Sequence, residues 1–398
     1  QGPSAGGLAG GCVCDVAEHT VKKLLDDSAA TSEFRTHLLS WYHDHKRQTS
    51  WRDSSDPYHI WISEIMLQQT RVDQMGGYFE RFITAFPTVG ALAGASGDEV
   101  LKVWEGLGYY ARARNMHKAA KRIAFELEGQ IPNTYDGLID LPGVGEYTAA
   151  AVSSIAFDCD HPVLDGNVIR VLCRHLRIEG DPRRAQIKAE LIAAGEALLA
   201  RGQAGDFNQA MMELGARICT PRKPLCETCP VGATCRARAE LDDPTALPYK
   251  APKKKKPHYQ VAAGVISKGS QLLIAQRPAE VMLGGLWEFP GGKQEEGETL
   301  EECLVREIRE ELGIEIEAVA RLTSVDHAFS HFSITLHAIA ARYIRGEPQT
   351  LGCANWKWIA PVELDEFALP RADRLIVEFL RRDGHQMQLF DGGVDSGK

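Results

Sequence analysis

Four cysteines within seventeen residues are the densest chemistry in this chain. Cys219, Cys226, Cys229 and Cys235 are separated by six, two and five residues. Thiolates this close need only one irregular loop to wrap a metal centre, and the tight, proline-bearing loop favours ligation over four free thiols. Spacing alone leaves a tetrahedral zinc ion and a [4Fe–4S] cluster both open, with a slight lean to zinc. Basic residues flank the loop at Arg217, Arg222, Lys223, Arg236 and Arg238, where they suit phosphates. A second cluster is acidic. Glu307, Glu310 and Glu311 fall at i, i+3 and i+4 of a helix and share one face. Hard carboxylates grouped this way suit Mg2+ and a pyrophosphate, and the plain alternative is a solvated charged helix. A third feature is the turn Leu141–Gly145, LPGVG. Its glycines, Gly143 and Gly145, let backbone N–H groups approach a phosphate at the start of the next helix; otherwise it is a tight helix–helix turn. Twenty residues past Gly145 stands Asp165, in VLDGNVIRV. It is either a helix cap or a carboxylate facing what the turn holds.

These groups need elements to carry them. Hydrophobic residues make 44% of the 398 and charged residues 25%, which excludes a disordered or fibrous chain and leaves room for two or three domains. From about 31 to 218 apolar residues recur three and four apart, as in Val100, Leu101 and Trp104, which predicts helices. Residues 241–257 (LDDPTALPYKAPKKKKP) hold four prolines and five lysines and read as a semi-extended linker. Its lysine run is either a spacer or a strap that follows phosphates. After 258 the pattern changes to strands at 259–266, 271–276, 333–344 and 355–359, with a helix over 299–312. The expected domains are a tail at 1–30, a helical domain at 31–240 with the cysteine loop at 219–235, the linker, an α/β or α+β domain at 258–383 and a tail at 384–398.

The net charge of -9 argues against nucleic acid only if it is spread evenly. Residues 258–398 hold 14 Lys+Arg against 22 Asp+Glu, so the acidity is C-terminal, and local basic patches remain free to bind DNA. No run approaches the ~18 apolar residues of a membrane span and no signal segment is visible, so no membrane partner is expected. The expectation from these features is a cytoplasmic protein. Six further cysteines are scattered, among them Cys12 and Cys14, which fits reduced thiols rather than a disulfide scaffold.

In combination, LPGVG, a downstream aspartate and the x6-x2-x5 cysteine loop resemble the helix–hairpin–helix DNA glycosylases that carry an iron–sulfur cluster. Within them the chain resembles the MutY-type adenine glycosylases, through WISEIMLQQTRV at 61–72, WEGLGYYARARN at 104–115 and FNQAMMELGARIC at 207–219. The resemblance implies a mainly α glycosylase domain, a [4Fe–4S] cluster on the four cysteines, and removal of adenine opposite 8-oxoguanine (and opposite G) from double-stranded DNA with the base flipped out. It implies that Glu64 is the acid that protonates the leaving base, that Asp165 stabilises the cationic sugar, and that Tyr147 and Asn167 support them. Glu64 then needs a buried site that raises its pKa, and Asp165 must stay ionised. Trp51, Arg52 and Gln209 match positions that line the adenine pocket. Leu67, Gln69 and Tyr109 match residues that wedge into the duplex. The resemblance further implies a bacterial protein, nucleoid-associated when acting on DNA, and a monomer.

Residues 292–314 read G-x5-E-x7-R-E-I-x-E-E-x-G-I, a complete Nudix box, which implies an α/β Nudix-like C-terminal domain. In the resembled glycosylases this box is usually decayed; here every position is kept, so weak Mg2+-dependent nucleotide hydrolysis is a further reading, although fold alone does not settle activity. The segment HAFSH implies that Phe329, Ser330 and His331 recognise the oxidised guanine. Gln386–Phe390 (QMQLF) resembles sliding-clamp peptides. Three rivals remain: a bifunctional glycosylase/lyase for oxidised pyrimidines, which a Lys in place of Tyr147 would favour; a nucleotide-pool Nudix hydrolase; and a non-catalytic damage binder.

Overall fold

Helices fill the first part of the chain and a sheet the last in the computed structural model, which describes residues 28–52, 54–70, 72–252 and 255–382. By packing the chain forms two units, residues 1–80 with 122–253 and residues 81–121 with 254–398. Segment 81–121, which the sequence groups with the helical domain, therefore packs with the C-terminal part. Glu105 shows why. It accepts from Arg374 Nη2 at 2.6 Å and from the backbone N–H of Leu369 at 3.1 Å, and Lys102 Nζ donates to the carbonyl of Phe367 at 3.1 Å.

In the first unit, the Pro57–Leu67 helix matters most. Asp56 caps it by accepting from the N–H of Tyr58 at 2.8 Å, and Pro57 suits a first turn whose N–H has no helical partner. Every residue from Tyr58 to Met66 except His59 is buried. Trp61, Ile62 and Met66 are fully enclosed, each worth about 2–3 kcal/mol of apolar burial, so a Glu64 on this helix is carried inside with them. Two further helices close the region, Gly166–His175 and Ala204–Arg217. They cross closely because Gly215 has no side chain, where a Cβ would come within 2.6 Å of Asn167 Cβ. The opening helix runs Ser28–His45 and buries Phe34, Leu38 and Tyr42. It begins three residues inside the expected tail, since Thr31 already lies on the buried stripe.

The second unit holds a six-stranded mixed sheet in the order β3-β2-β1-β5-β4, with β6 also on β2. The strands are β1 His258–Lys268, β2 Gln271–Gln276, β3 Trp287–Glu288, β4 Glu315–Ala328, β5 Ser333–Arg345 and β6 Asn355–Ile359. β1 runs parallel to β5 and antiparallel to β2. Alternation along β1 sends Ala262 and Ile266 to one core and Ala263 and Val265 to the other. The Leu300–Leu312 helix covers the first face with Leu300, Cys303, Leu304, Ile308 and Leu312; the Arg371–Arg382 helix covers the second with Ala372, Ile376, Val377 and Leu380. Helices on both faces make this domain α/β. Strand β4 escaped the sequence reading because register shifts between Ala318 and Ala320 and between Arg321 and Thr323 break its alternation, as bulges do.

Among the described residues no helix is long and apolar enough to cross a membrane. Cys12, Cys14 and Gln386–Phe390 lie outside the described residues.

Candidate active site and nucleic-acid interface

A cleft of about 140 Å3 in the first unit gathers residues that are far apart in sequence: Trp51, Arg52, Glu64, Leu67, Tyr147, Asp165, Asn167 and Gln209 line it together. Glu64 is only 6% exposed, and its Oε2 accepts from the Tyr147 hydroxyl at 2.6 Å. Burial pushes its carboxyl above the ordinary range; the Tyr147 hydrogen bond and the Arg52 charge act against this, and the Asp165 charge adds to it. The Tyr147 hydroxyl is pushed well above its usual value by burial and by Glu64, so it stays a neutral donor.

Asp165 is a helix cap and also a cleft residue. It caps the Gly166–His175 helix, with Oδ1 accepting from the N–H groups of Asn167 at 2.9 Å and Val168 at 2.7 Å, and it also faces the cleft. Oδ2 accepts from Asn167 Nδ2 at 2.8 Å. Burial raises its carboxyl, while the three N–H donors and Arg170 pull it back without cancelling the rise. All three donors favour the ionised form, each at about 1.5–3 kcal/mol. Arg170 decides which way the Asn167 amide points. Its Nη2 donates to Asn167 Oδ1 at 2.9 Å, which leaves the amide N–H for Asp165.

The same arginine reaches the cysteine loop. Arg170 Nε donates to the carbonyl of Cys219 at 2.7 Å. One turn later Arg174 donates to the carbonyl of Thr220 at 2.7 Å and lies 3.5 Å from Cys219 Sγ. Cys219, Cys226, Cys229 and Cys235 surround one apolar cavity of about 30 Å3, with no disulfide among them. Burial, together with charges on the neighbouring sulfurs, pushes the Cys229 thiol up to about 11. Crowded thiols with this environment fit a thiolate-bound inorganic group, whose charge relieves the repulsion. Among the described residues no three His, Cys, Asp or Glu side chains converge on the position of a single metal ion.

The hairpin turn lies at 141–145. Gly143 has φ +76°, the left-handed region that favours glycine. Gly145 starts the Glu146–Phe157 helix without a side-chain cap, and a Cβ there would meet nothing within 4 Å. The helix N-terminus is thus open to an outside anion.

The predicted wedge residues separate. Leu67 lines the cleft, whereas Gln69 and Tyr109 are exposed and both have left-handed backbone, φ +61° and +48°. Such strain in non-glycine residues marks sites held in place by their surroundings. Tyr109, in the second unit, is held by the Arg112 guanidinium 5.5 Å from its ring and by a 2.8 Å hydrogen bond between its hydroxyl and Ser330 Oγ. The turn at 329–332 closes through the N–H of Phe329 donating to the carbonyl of Phe332 at 2.8 Å. Phe329 is packed inward, while Ser330 and His331 are exposed. Lys256 Nζ donates to the Phe329 carbonyl at 3.0 Å, so this end of the linker is part of the turn's support.

In the Nudix box, Arg306 takes Glu298 at 2.8 Å, Glu307 at 3.0 Å and Glu310 at 3.1 Å. Glu311 is pushed up to about 7 by burial and by the charges of Glu288, Glu307 and Glu310, against Arg277.

Sequence reasoning missed Arg47, Met212 and Glu213, which line the cleft, and Arg170, which reaches it only through Asn167. Glu213 is fully buried and binds Arg47 and Arg52. Its only signal was a carboxylate inside the apolar run AMMELGA.

Residues 62–195 match the family model described as HhH-GPD superfamily base excision DNA repair protein, and residues 261–379 match the NUDIX domain model. The chain is 34% identical to the adenine DNA glycosylase of Homo sapiens, over 88% of this chain and 74% of that protein. It is 37% identical to that of Mus musculus, over 78% and 71%. It is 35% identical to that of Buchnera aphidicola subsp. Acyrthosiphon pisum (strain APS), over 77% and 85%.

Proposed function

The chain belongs to the adenine DNA glycosylase family, and from that premise we propose a monofunctional enzyme that removes adenine opposite 8-oxoguanine, and opposite G, by hydrolysis of the N-glycosidic bond. It is a DNA N-glycosylase, a hydrolase of base excision repair acting on DNA. The observation that carries the finer reading is the pairing of two unlike carboxylates in one cleft, Glu64 buried against a neutral phenol and Asp165 held by three N–H donors.

The flipped adenine enters between Trp51, Arg52, Leu67 and Gln209. Glu64 gives its proton to N7. Tyr147 occupies Oε2, which leaves Oε1 to carry that proton. As the C1′–N9 bond breaks, its electron pair leaves with the protonated adenine and Asp165 faces the developing positive charge, the donors on it keeping it ionised and in place; water then adds at C1′ and releases a proton, which returns Glu64 to its acid form. Gly143 and Gly145 receive a phosphate. Gln69 and Tyr109 wedge the duplex, and Phe329, Ser330 and His331 read the oxidised base. Tyr147 stands where a lyase needs its amine nucleophile, so strand cleavage by a Schiff base has no nucleophile there.

Cys219, Cys226, Cys229 and Cys235 hold a [4Fe–4S] cluster, and iron and sulfide content of the purified protein, against zinc, tests this. A second activity has one observation in its favour, the crowding of carboxylates about Glu311, which a bound Mg2+ would relieve once Glu307 and Glu310 leave Arg306 and turn toward Glu311, since the three do not converge on one ion position as they stand. Pyrophosphate release from oxidised dGTP with Mg2+, absent in Glu310→Gln, is its test. Gln386–Phe390 docks a sliding clamp, and Leu389→Ala with Phe390→Ala should abolish pull-down by the clamp.

The main reading is tested by single-turnover base release from duplexes carrying A opposite 8-oxoguanine, A opposite G, and thymine glycol opposite A. Free adenine from the first two, an intact abasic strand, and loss of both in Asp165→Asn are expected. Release only from the third duplex would overturn it.

A further inference from the structure

Arg52 lines the same cleft as Glu64 but is held by a different carboxylate. Its Nη2 is held by Glu213 Oε2 at 2.7 Å and its Nη1 by the carbonyl of Arg47 at 3.3 Å, while its charge also acts on Glu64. Glu213 has no exposed surface. Arg47 forks onto both of its oxygens, Nε to Oε1 at 2.7 Å and Nη2 to Oε2 at 2.8 Å, and Arg217 Nη1 lies 3.6 Å from Oε1. Burial pushes the Glu213 carboxyl up, and Arg47 and Arg52 more than reverse that, holding it below the ordinary range. Glu213 is therefore a fixed buried anion against which the arginines of the cleft are anchored.

We infer that Glu213 is a positioning residue for base release: by holding Arg52 in an ion pair of its own, it keeps Arg52 from pairing with Glu64, so that Glu64 retains the proton it must give to the base. This rests on the reading of Glu64 as the acid. A buried charge deprived of its partner seeks another, and Glu64, which lines the same cleft and feels the Arg52 charge, is the carboxylate offered to it. A direct Arg52–Glu64 pair would hold Glu64 ionised and useless as an acid. The titratable and charged groups that face Glu64 are Arg52 from the loop before its helix, Tyr147 from the Glu146–Phe157 helix and Asp165 from the start of the Gly166–His175 helix. Those on Glu213 are Arg47, Arg52 and Arg217. Removing the Glu213 charge thus changes the balance at Glu64 through Arg52 and leaves Tyr147 and Asp165 as they are.

The experiment is single-turnover adenine release, from the A:8-oxoguanine duplex, as a function of pH. In Glu213→Gln, which keeps the shape and removes the charge, the alkaline limb should move down by about one pH unit. On the alkaline side of the wild-type limb the rate then falls roughly tenfold, while below the shifted limb it stays within roughly twofold. Glu213→Asp, which keeps the charge, should restore the limb. A uniform loss at every pH, or a limb that does not move, would overturn the inference, because a merely structural role lowers the rate without shifting the profile. If thermal melting shows that Glu213→Gln does not fold, Arg47→Gln decides: Glu213 is left less compensated and the limb should move up, and a limb at the wild-type position refutes the idea. The underlying reading fails separately. Adenine release in Glu64→Gln equal to wild type would mean that Glu64 is not the acid.

Discussion

Glutamates in two motifs meet opposite fates in this protein. In the first unit Glu64 is enclosed, and its hydrogen-bond partner is a phenol, which cannot neutralise it. In the second unit Glu298, just before the helix, and Glu307 and Glu310 on it share the guanidinium of Arg306, and only Glu311 beside them is pushed up by burial and like charges. Both groups sit in strongly patterned motifs, and the Nudix box is the more complete as a pattern. The difference is in what the neighbours do to the charge. A carboxylate matched by an arginine is at rest and serves the fold. One held in a dry cleft beside a neutral donor is left with a proton to trade, and is where reactivity is concentrated. Completeness of a motif and readiness for chemistry are thus separate properties.

The strongest way to break this contrast is at Asp165. Asp165→Asn preserves size but removes the charge that faces the sugar, and adenine release should fall about a thousandfold. Circular dichroism should be unchanged, because an asparagine still caps a helix. A variant retaining a tenth of the rate would mean that the cleft works without an anion. Next in size is Glu64→Gln. General acid catalysis contributes about a hundredfold or more, so the rate should drop by at least that amount. Because burial raises the Glu64 carboxyl, wild-type activity should decline as pH rises through that raised value, with a separate decline on the acid side where Asp165, itself raised, takes up a proton. Glu64→Gln should lose the alkaline decline altogether, which a pH series of single-turnover rates would show.

The exposed side of the reading is expected to yield smaller numbers. Tyr109 and Ser330 are joined by one solvent-exposed hydrogen bond, worth about 1 kcal/mol. Ser330→Ala and Tyr109→Phe should each narrow the preference for A:8-oxoguanine over A:G by about tenfold or less, with the maximal rate on the preferred duplex unchanged. Discrimination lost together with the maximal rate would place these residues in the chemistry rather than in recognition.

How far the sequence carried this picture depended on whether a residue's role lay in its own segment. The helical character of 31–218, the strands β1, β2, β5 and β6, and the apolar stripe of Leu300, Leu304 and Ile308 are local patterns, and they were legible. So was the company of Glu64, Tyr147 and Asp165, through short motifs. Glu213 was not, because its meaning is an ion pair with Arg47 across 166 residues of chain. Arg170 likewise connects Asn167 to Cys219 across the fold. Strand β4 was hidden by its bulges, and the Arg371–Arg382 helix by charges that crowd its apolar stripe. The grouping of 81–121 with the sheet rests on Glu105, a residue that reads as ordinary surface until Arg374 is beside it.

The smallest effect is expected at Glu310, and it bears directly on the contrast between the two units. Glu310 is exposed, with a side chain 60% accessible, and its pair with Arg306 spans 3.1 Å. An exposed ion pair of this kind is worth about 0.2–1 kcal/mol. Arg306 keeps Glu298 and Glu307 when Glu310 is neutralised, so Glu310→Gln should cost little stability, visible as a drop of only a few degrees or less in the melting temperature. Adenine release should stay within about twofold of wild type, because the residues placed at the reacting base and sugar are Glu64 and Asp165, on other elements. A tenfold loss of adenine release in Glu310→Gln, with melting unchanged, would show that the box does more for base removal than support the fold, and the division between a reacting cleft and a resting motif would have to be redrawn.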